Sequence, residues 1–560
     1  MDFLLPASKE NSNSNMLIKK KYFNFIKNTS NLFFQKTPIY DYILMKDISS
    51  EISIILNDPW QGDRRKGQDI VDGYIKFYGE TVYYKTNIWE KNNASKLWKE
   101  ELHSFSWARD IRSTGTNNSR LFLRKSLEQW IKKYNKWSEF EWKDSILARR
   151  VSSLIENFMF YCSSAEESFQ DTLLKSICKQ ANHLFKKNIS ETDGFDRILI
   201  IKSIIIVALT FNNFKKKLNF GINLLLLEIE NQILQDGCHY LKSPSIHLEF
   251  LKNLIDIKSY LIDAKKNIPQ KLDTSISKSA SVLKFFKSGN GLLSTFNRSS
   301  YKSNNELNQV LIRANSKLKT PLFLEKSGFR RLSQNKITFI MDCGNPVKED
   351  VYAGSLSFEF SFAKSQIVVN SGPPHINNKK WMEAMKSTAA HSTASIDNTN
   401  SSDIFFQKLK KRTDRIANVW SKNYQKGSSY WIDAAHSGYQ NFFGLIHSRK
   451  IHIDTKNKII RGHDYLFKTK NKYLRIPKNL QIRFHLHPKI DINITGSKKK
   501  AILKLPDGNG WEFICSESNI EINESIYLSG GQNPIRSNHI FISSPIIPNK
   551  KIKWLFRLIN

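Results

Sequence analysis

The chain has 560 residues, 40% of them hydrophobic, which is too long for one ordinary core and enough apolar material for two or three. Lys and Arg number 86 against 51 Asp and Glu, a formal charge of +35 that favours polyanionic partners such as nucleic acid, acidic glycan or anionic lipid; codons rich in A and T, visible as an abundance of Lys, Asn and Ile, are a second source of that excess. The five cysteines, Cys162, Cys178, Cys238, Cys343 and Cys515, are scattered without CxxC spacing, which argues against both a disulfide framework and a thiolate metal site.

Residues 1–50 read as a polar arm and an amphipathic lead-in; MDFLLPASKENSNSN places its apolar patch ahead of polar residues, so no secretory signal is readable. From residue 51 to about 300 apolar residues recur at helical spacing, as in Leu121, Leu127, Trp130 and Ile131, then Ile146, Leu147, Val151, Leu154 and Ile155. Successive helices joined by short breaks predict an all-α domain of stacked antiparallel hairpins, an (α/α) toroid. Its most apolar run, Ile198–Leu209, carries Lys202 near the middle and is too short for a membrane span, so it reads as a buried helix and no transmembrane segment is expected. Residues 301–320 read as a linker. From 321 to 560 the period changes to 2 in short segments such as KITFIMDCG, SLSFEFSF and LQIRFHLHP, rich in β-branched and aromatic residues and punctuated by Gly, Asn and Pro. They predict an antiparallel β-sandwich, giving an α+β multidomain chain with a ligand cleft expected between its halves.

Candidates for chemistry are few. In DGCHYLKSPSIH, Asp236 to His247, Asp-Gly makes a turn and Ser-Pro stops a helix, so His239 is expected on a loop facing a cleft, with His247 after it. His391 lies in STAAHSTASID, whose small neighbours leave an imidazole room to meet a substrate or equally suit a turn. WIDAAHSGYQNFFGLIHSRKI supplies His436, Tyr439, His447 and Arg449. His485 and His487 alternate on a strand, a geometry that suits zinc only weakly without a third ligand in fixed spacing. No GxSxG, HExxH, P-loop or GxGxxG motif is present, and no DNA-reading helix or RNP-like strand, so a nucleic-acid partner rests on charge alone and is disfavoured.

The runs DVYAGSLSFEFSFAKSQIVVNSGPP, STAAHSTASID, HSGYQNFFGLIHSRK and PDGNGWEFICSESNIEINESIYLSGG resemble the C-terminal β-domain of the heparinase II/III-like family of bacterial polysaccharide lyases; NDPWQGDRRKGQDIVDGYIKFYGE, LHSFSWARDIRSTG and DGCHYLKSPSIHLEFLKNL resemble its helical half. That resemblance implies cleavage of a uronate-containing polysaccharide by β-elimination, without a cofactor. It implies His239 at the substrate carboxylate and His391 as the base, with Trp107, Arg109, His247, His436 and Arg449 holding the acidic chain; Trp60 and Trp89 are further candidates for stacking on sugar rings. The family's catalytic tyrosine lies downstream of the DGxH motif, where this sequence has Phe285 and Phe286; Tyr240, Tyr301 and Tyr439 are the available substitutes. A glycan-binding protein of the same fold that does not cut, or cuts in an altered way, is the first alternative, and a nucleic-acid-binding protein the second. Relatives work in the cell envelope or periplasm, an implied location that the absence of a readable signal leaves open against a cytoplasmic one.

Overall fold

The computed structural model describes residues 32–559, apart from 47, 49–50, 188, 190–191, 193, 374–378, 405–414, 470–473, 517–518 and 529–533; the polar arm of residues 1–31 lies outside the described residues. Period-3.6 spacing is realised as helices as far as Ala314, and period-2 spacing as strands from Phe329 onward. One short exception is the hairpin Tyr74–Phe77 with Glu80–Tyr83. Its two-residue turn, Tyr78 at φ 50° and Gly79 at φ 83°, has the double positive φ that matches the twist of paired strands. The chain forms two compact units whose boundary is not the helix-to-strand change. The first runs through Leu224 and adds Tyr260–Lys266; the second comprises Leu225–Ser259 and everything from Asn267.

In the first unit, helices form where side-chain caps meet apolar stripes. Asp63 accepts from the backbone N–H groups of Arg65 and Lys66 at the start of Arg64–Val71, and Thr116 caps Asn117–Tyr134. The apolar run lies within the helix Gly194–Thr210 and is buried apart from the half-buried Leu199. Lys202 is tolerated there because its ammonium meets the Glu156 carboxylate at 3.1 Å, while the Tyr260 hydroxyl donates to the same oxygen; unpaired, that charge would carry a desolvation penalty of several kcal/mol. Among the described residues no helix is long and apolar enough to cross a membrane.

The second unit contains two eight-stranded antiparallel sheets. The first runs in the order Asp491–Ile494, Lys500–Lys504, Gly510–Cys515, Ile552–Ile559, Ile459–Lys468, Leu445–Asp454, Ser429–His436 and Val419–Lys426. The other runs Glu521–Tyr527, Ile535–Pro545, Asn479–Leu486, Ser365–Val369, Phe358–Phe362, Ile337–Asp342 and Phe329–Gln334, with Ala394–Ile396 also pairing Asn479–Leu486. Their inner faces share one core, in which Phe358 stacks on Trp554 at 5.6 Å and Phe484 meets Phe513 at 5.4 Å. This is the face-to-face packing of a β-sandwich. The expected linker holds a helix, Asn304–Ala314, because Ser303 accepts from the Glu306 N–H at 3.2 Å and Asn315 ends it in the left-handed region.

Candidate active site

Tyr352 and His391 stand on two irregular segments of the second unit, one ahead of the strand Phe358–Phe362 and the other after the turn Thr388–Ala390. The segments are stitched together around the pair. The Ala353 N–H donates to the Lys386 carbonyl at 2.9 Å, the Thr388 hydroxyl to the Ala353 carbonyl at 2.8 Å, and the Thr393 hydroxyl to the Ser355 carbonyl at 2.8 Å. A side chain at Gly354 would come within 2.9 Å of the His391 ring, so the absence of a Cβ lets the imidazole lie flat on that backbone. The Tyr352 and His391 rings are 6.2 Å apart, edge to face, and each residue is 5% exposed.

Among the described residues neither ring nitrogen of His391 has a hydrogen-bond partner, and neither has the Tyr352 hydroxyl. Buried polar atoms are ordinarily satisfied, so three orphans on two adjacent rings make this pair the candidate site. Burial pushes the His391 imidazole down to about 4, leaving it neutral and able to accept a proton at physiological pH. Burial, then the Asp350 charge, push the Tyr352 phenol up against the opposing pull of Arg298, so it holds its proton. The Lys386 ammonium lies 5.4 Å from the Tyr352 ring centre and 2.5 Å from Asp350, whose other oxygen is 3.7 Å from Arg298 Nη1.

The remaining residues singled out from sequence are placed differently. His239, expected to face a cleft, is fully buried: its Nε2 meets Gln232 Oε1 at 2.7 Å, its Nδ1 accepts from the Leu241 N–H at 3.2 Å, and its ring packs against Phe250. The turn folds its imidazole inward because the His239 N–H must be satisfied, and it donates to Nδ1 of the buried His247, whose Nε2 donates to the Ser279 carbonyl at 2.8 Å. Both imidazoles therefore brace the loop. His239 and His391 belong to the same compact unit, yet no hydrogen bond or ring contact joins them among the described residues. Tyr240 is half-buried with its ring 4.9 Å from His239.

His436, Tyr439 and Arg449, expected to touch the glycan or its reacting atoms, are fully buried. Tyr439 donates to the Ala394 carbonyl at 2.8 Å. His436 Nε2 meets His447 Nδ1 at 3.0 Å, His447 Nε2 meets Asp464 Oδ1 at 2.7 Å, and Arg449 forks onto both Asp464 oxygens at 2.7 and 3.2 Å. Burial alone would push the Asp464 carboxyl up, but Arg449 and His447 beside it hold it well below the usual carboxylate range. The other Arg449 nitrogen donates to the Leu356 and Ser392 carbonyls at 3.0 and 2.9 Å, tying together the segments that carry Tyr352 and His391.

In the first unit, Trp107 is buried, donates to the Leu102 carbonyl at 3.0 Å and stacks on Phe105; Trp60 and Trp89 are buried too. Arg109 pairs with the buried Asp58, donating from Nη2 at 3.0 Å. The indoles are buried because their large apolar faces must find partners, and Arg109 is held by its ion pair because a carboxylate taken out of water must find a cation. Phe285 and Phe286 are core residues, and Tyr301 is exposed. His485 is spent on Ser525 and the Ala389 carbonyl, and no group of three His, Cys, Asp or Glu able to hold a metal occurs among the described residues. Sequence reasoning passed over Tyr352 although it lies inside DVYAGS; the signal was the Gly two residues on, which marks close backbone approach without saying what approaches.

A helical first half followed by two packed antiparallel sheets fits the polysaccharide-lyase fold, an (α/α) toroid followed by an antiparallel β-sandwich. The chain belongs to the heparinase II/III-like family: the heparinase II/III N-terminus model matches residues 67–319 and the heparinase II/III-like, C-terminal model residues 317–555. FtsZ-localized protein C of Caulobacter vibrioides is 23% identical over 516 residues, 89% of this chain and 88% of that protein. Heparinase III matches with a TM-score of 0.70 and 14% identity, over 92% of this chain and 86% of that one. Heparan sulfate lyase HepC from Pedobacter heparinus matches with a TM-score of 0.63 and 15% identity, over 90% and 84%. At such identities these structures establish the fold alone.

Proposed function

We propose that this protein cleaves a uronate-containing polysaccharide by β-elimination, with His391 as the base and Tyr352 as the acid. The observation that carries this reading is the pair of adjacent buried rings whose three polar atoms have no partner among the described residues. Their opposite shifts agree with these roles, since an imidazole held neutral can accept a proton and a phenol held protonated can donate one. His391 removes the C5 proton; the electron pair it leaves forms the C4–C5 double bond as the C4–O4 bond breaks; and Tyr352 gives its proton to the departing O4. A proton passing from imidazolium to phenolate through solvent restores both groups. The charge of +35 supports an acidic chain as substrate.

The experiment is to incubate the protein with heparan sulfate and with alginate and follow the absorbance of unsaturated uronate ends. Activity that falls by roughly 10²–10⁴ in both His391→Ala and Tyr352→Phe, with both variants still folded cooperatively, is the expected result. Full activity in either variant removes that residue from the mechanism. A second reading, an acidic-glycan-binding protein that does not cut, draws on the 5% exposure of both rings; it requires retention on immobilised uronate polymer with no new chain ends. The cell envelope or periplasm stays part of the proposal against a cytoplasmic location, and fractionation of cells tests it.

A further inference from the structure

β-Elimination stalls while the sugar carboxylate keeps its full negative charge, because that charge opposes carbanion character at C5; some cation must meet it. His239 is sealed away from such a task. The structure holds a different candidate two helices further along the chain, past Pro244–Asp263 and Gln270–Phe285. Asn297 and Arg298 adopt φ values of 45° and 65°, two successive non-glycine residues in the left-handed region. Asn tolerates that region; Arg does so at a conformational cost that glycine would not incur, and such strain concentrates where a side chain must be aimed.

The turn is over-determined by its surroundings. Asn297 Nδ2 donates to the Lys242 carbonyl at 3.2 Å and to Asp342 at 3.4 Å, and the Ser299 N–H closes onto the Phe296 carbonyl at 3.0 Å. Lys242 belongs to the DGCHYLK loop that His239 and His247 brace, so that loop carries the turn rather than an imidazole of its own. Arg298 emerges with its side chain 55% exposed and one nitrogen 3.7 Å from Asp350, whose second oxygen lies 2.5 Å from Lys386. Asp350 therefore sets a carboxylate between a guanidinium and an ammonium, directly beside Tyr352.

We infer that Arg298, with Lys386, is the specificity-determining cation pair that receives the carboxylate of an acidic sugar at the His391–Tyr352 site, Asp350 being the internal carboxylate that balances them when no sugar is bound. The inference rests on the uronate reading and supplies the group that reading lacks. The guanidinium is the discriminating half, since its planar fork matches two carboxylate oxygens.

The test uses the full chain and three polymers: alginate, with uronate but no sulfate; dextran sulfate, with sulfate but no uronate; and neutral dextran. Arg298→Gly relieves the backbone and is expected to melt at the same temperature as the parent or higher, while kcat/KM on alginate, or affinity for alginate oligosaccharides by calorimetry, falls at least tenfold. Arg298→Lys recovers part of the loss. An unchanged alginate KM and affinity in Arg298→Gly overturns the inference and leaves the lyase reading standing. Binding of alginate that depends on Arg298 without any new chain ends upholds the inference and sinks the lyase reading. Parent protein that neither cleaves nor binds alginate, or an equal dependence on Arg298 for dextran sulfate, overturns the carboxylate assignment.

Discussion

Two histidine regions of this molecule look alike by burial and differ in what their nitrogens do. At the Asp236–His247 turn, His239 and His247 are fully buried and every ring nitrogen has a partner. At the other, His391 is nearly as buried and has none among the described residues. Burial pushes all three imidazoles down, to about 3 for His239 and about 4 for the other two. A lowered value thus separates nothing by itself. Hydrogen-bond satisfaction does, because leaving a buried donor or acceptor unpaired costs about 1–3 kcal/mol and so calls for an explanation wherever it is found.

The comparison can be broken by exchanging the two outcomes. The largest expected effect is the loss of turnover by about 10²–10⁴ in His391→Ala, against an unchanged kcat in folded His239→Ala. A His239→Ala variant that folds well and loses turnover would place that imidazole back in the reaction. Next, Arg449→Met leaves the Asp464 carboxylate buried without its guanidinium and is expected to cost about 3–5 kcal/mol, read from the denaturation midpoint; a loss under about 1 kcal/mol would show that His447 and Trp554 satisfy Asp464 alone. His239→Ala follows at about 2–4 kcal/mol, since it removes packing against Phe250 and strips a partner from Gln232.

The smallest and most diffuse effect is on pH. Each of these three imidazoles has a folded-state value below the ordinary 6.5, so between pH 6.5 and about 4 the unfolded chain binds protons that the folded chain refuses. Their contribution to stability is fully present above pH 6.5 and is lost as the pH falls toward 4. Melting temperature followed from pH 7.5 to 4.5 should decline over that window, and less steeply in His391→Ala. An equal slope in parent and variant would mean that His391 protonates freely when folded.

Much of the fold was legible because apolar periodicity reports which faces are buried. The helix-to-strand change near residue 320 and the buried helix around Lys202 follow from that periodicity. The Tyr74–Tyr83 hairpin and the helix Asn304–Ala314 were missed because each is short, and their signals, a Tyr-Gly turn and a Ser-x-x-Glu cap, are local rather than periodic. The candidate site was legible only in part. His391 drew attention through its small neighbours, whereas His436 and Arg449 drew equal attention and proved to be the buried brace beneath it.

By itself the sequence determined the helical first half and the sandwich, since spacing is a property of the chain read in order, and its charge supplied the expectation of an acidic partner. Tertiary structure alone decided which of several imidazoles lacks a hydrogen-bond partner and which phenol stands beside it. Tyr352 and His391 are 39 positions apart, and only folding determines which polar atoms water or a neighbouring side chain can still reach.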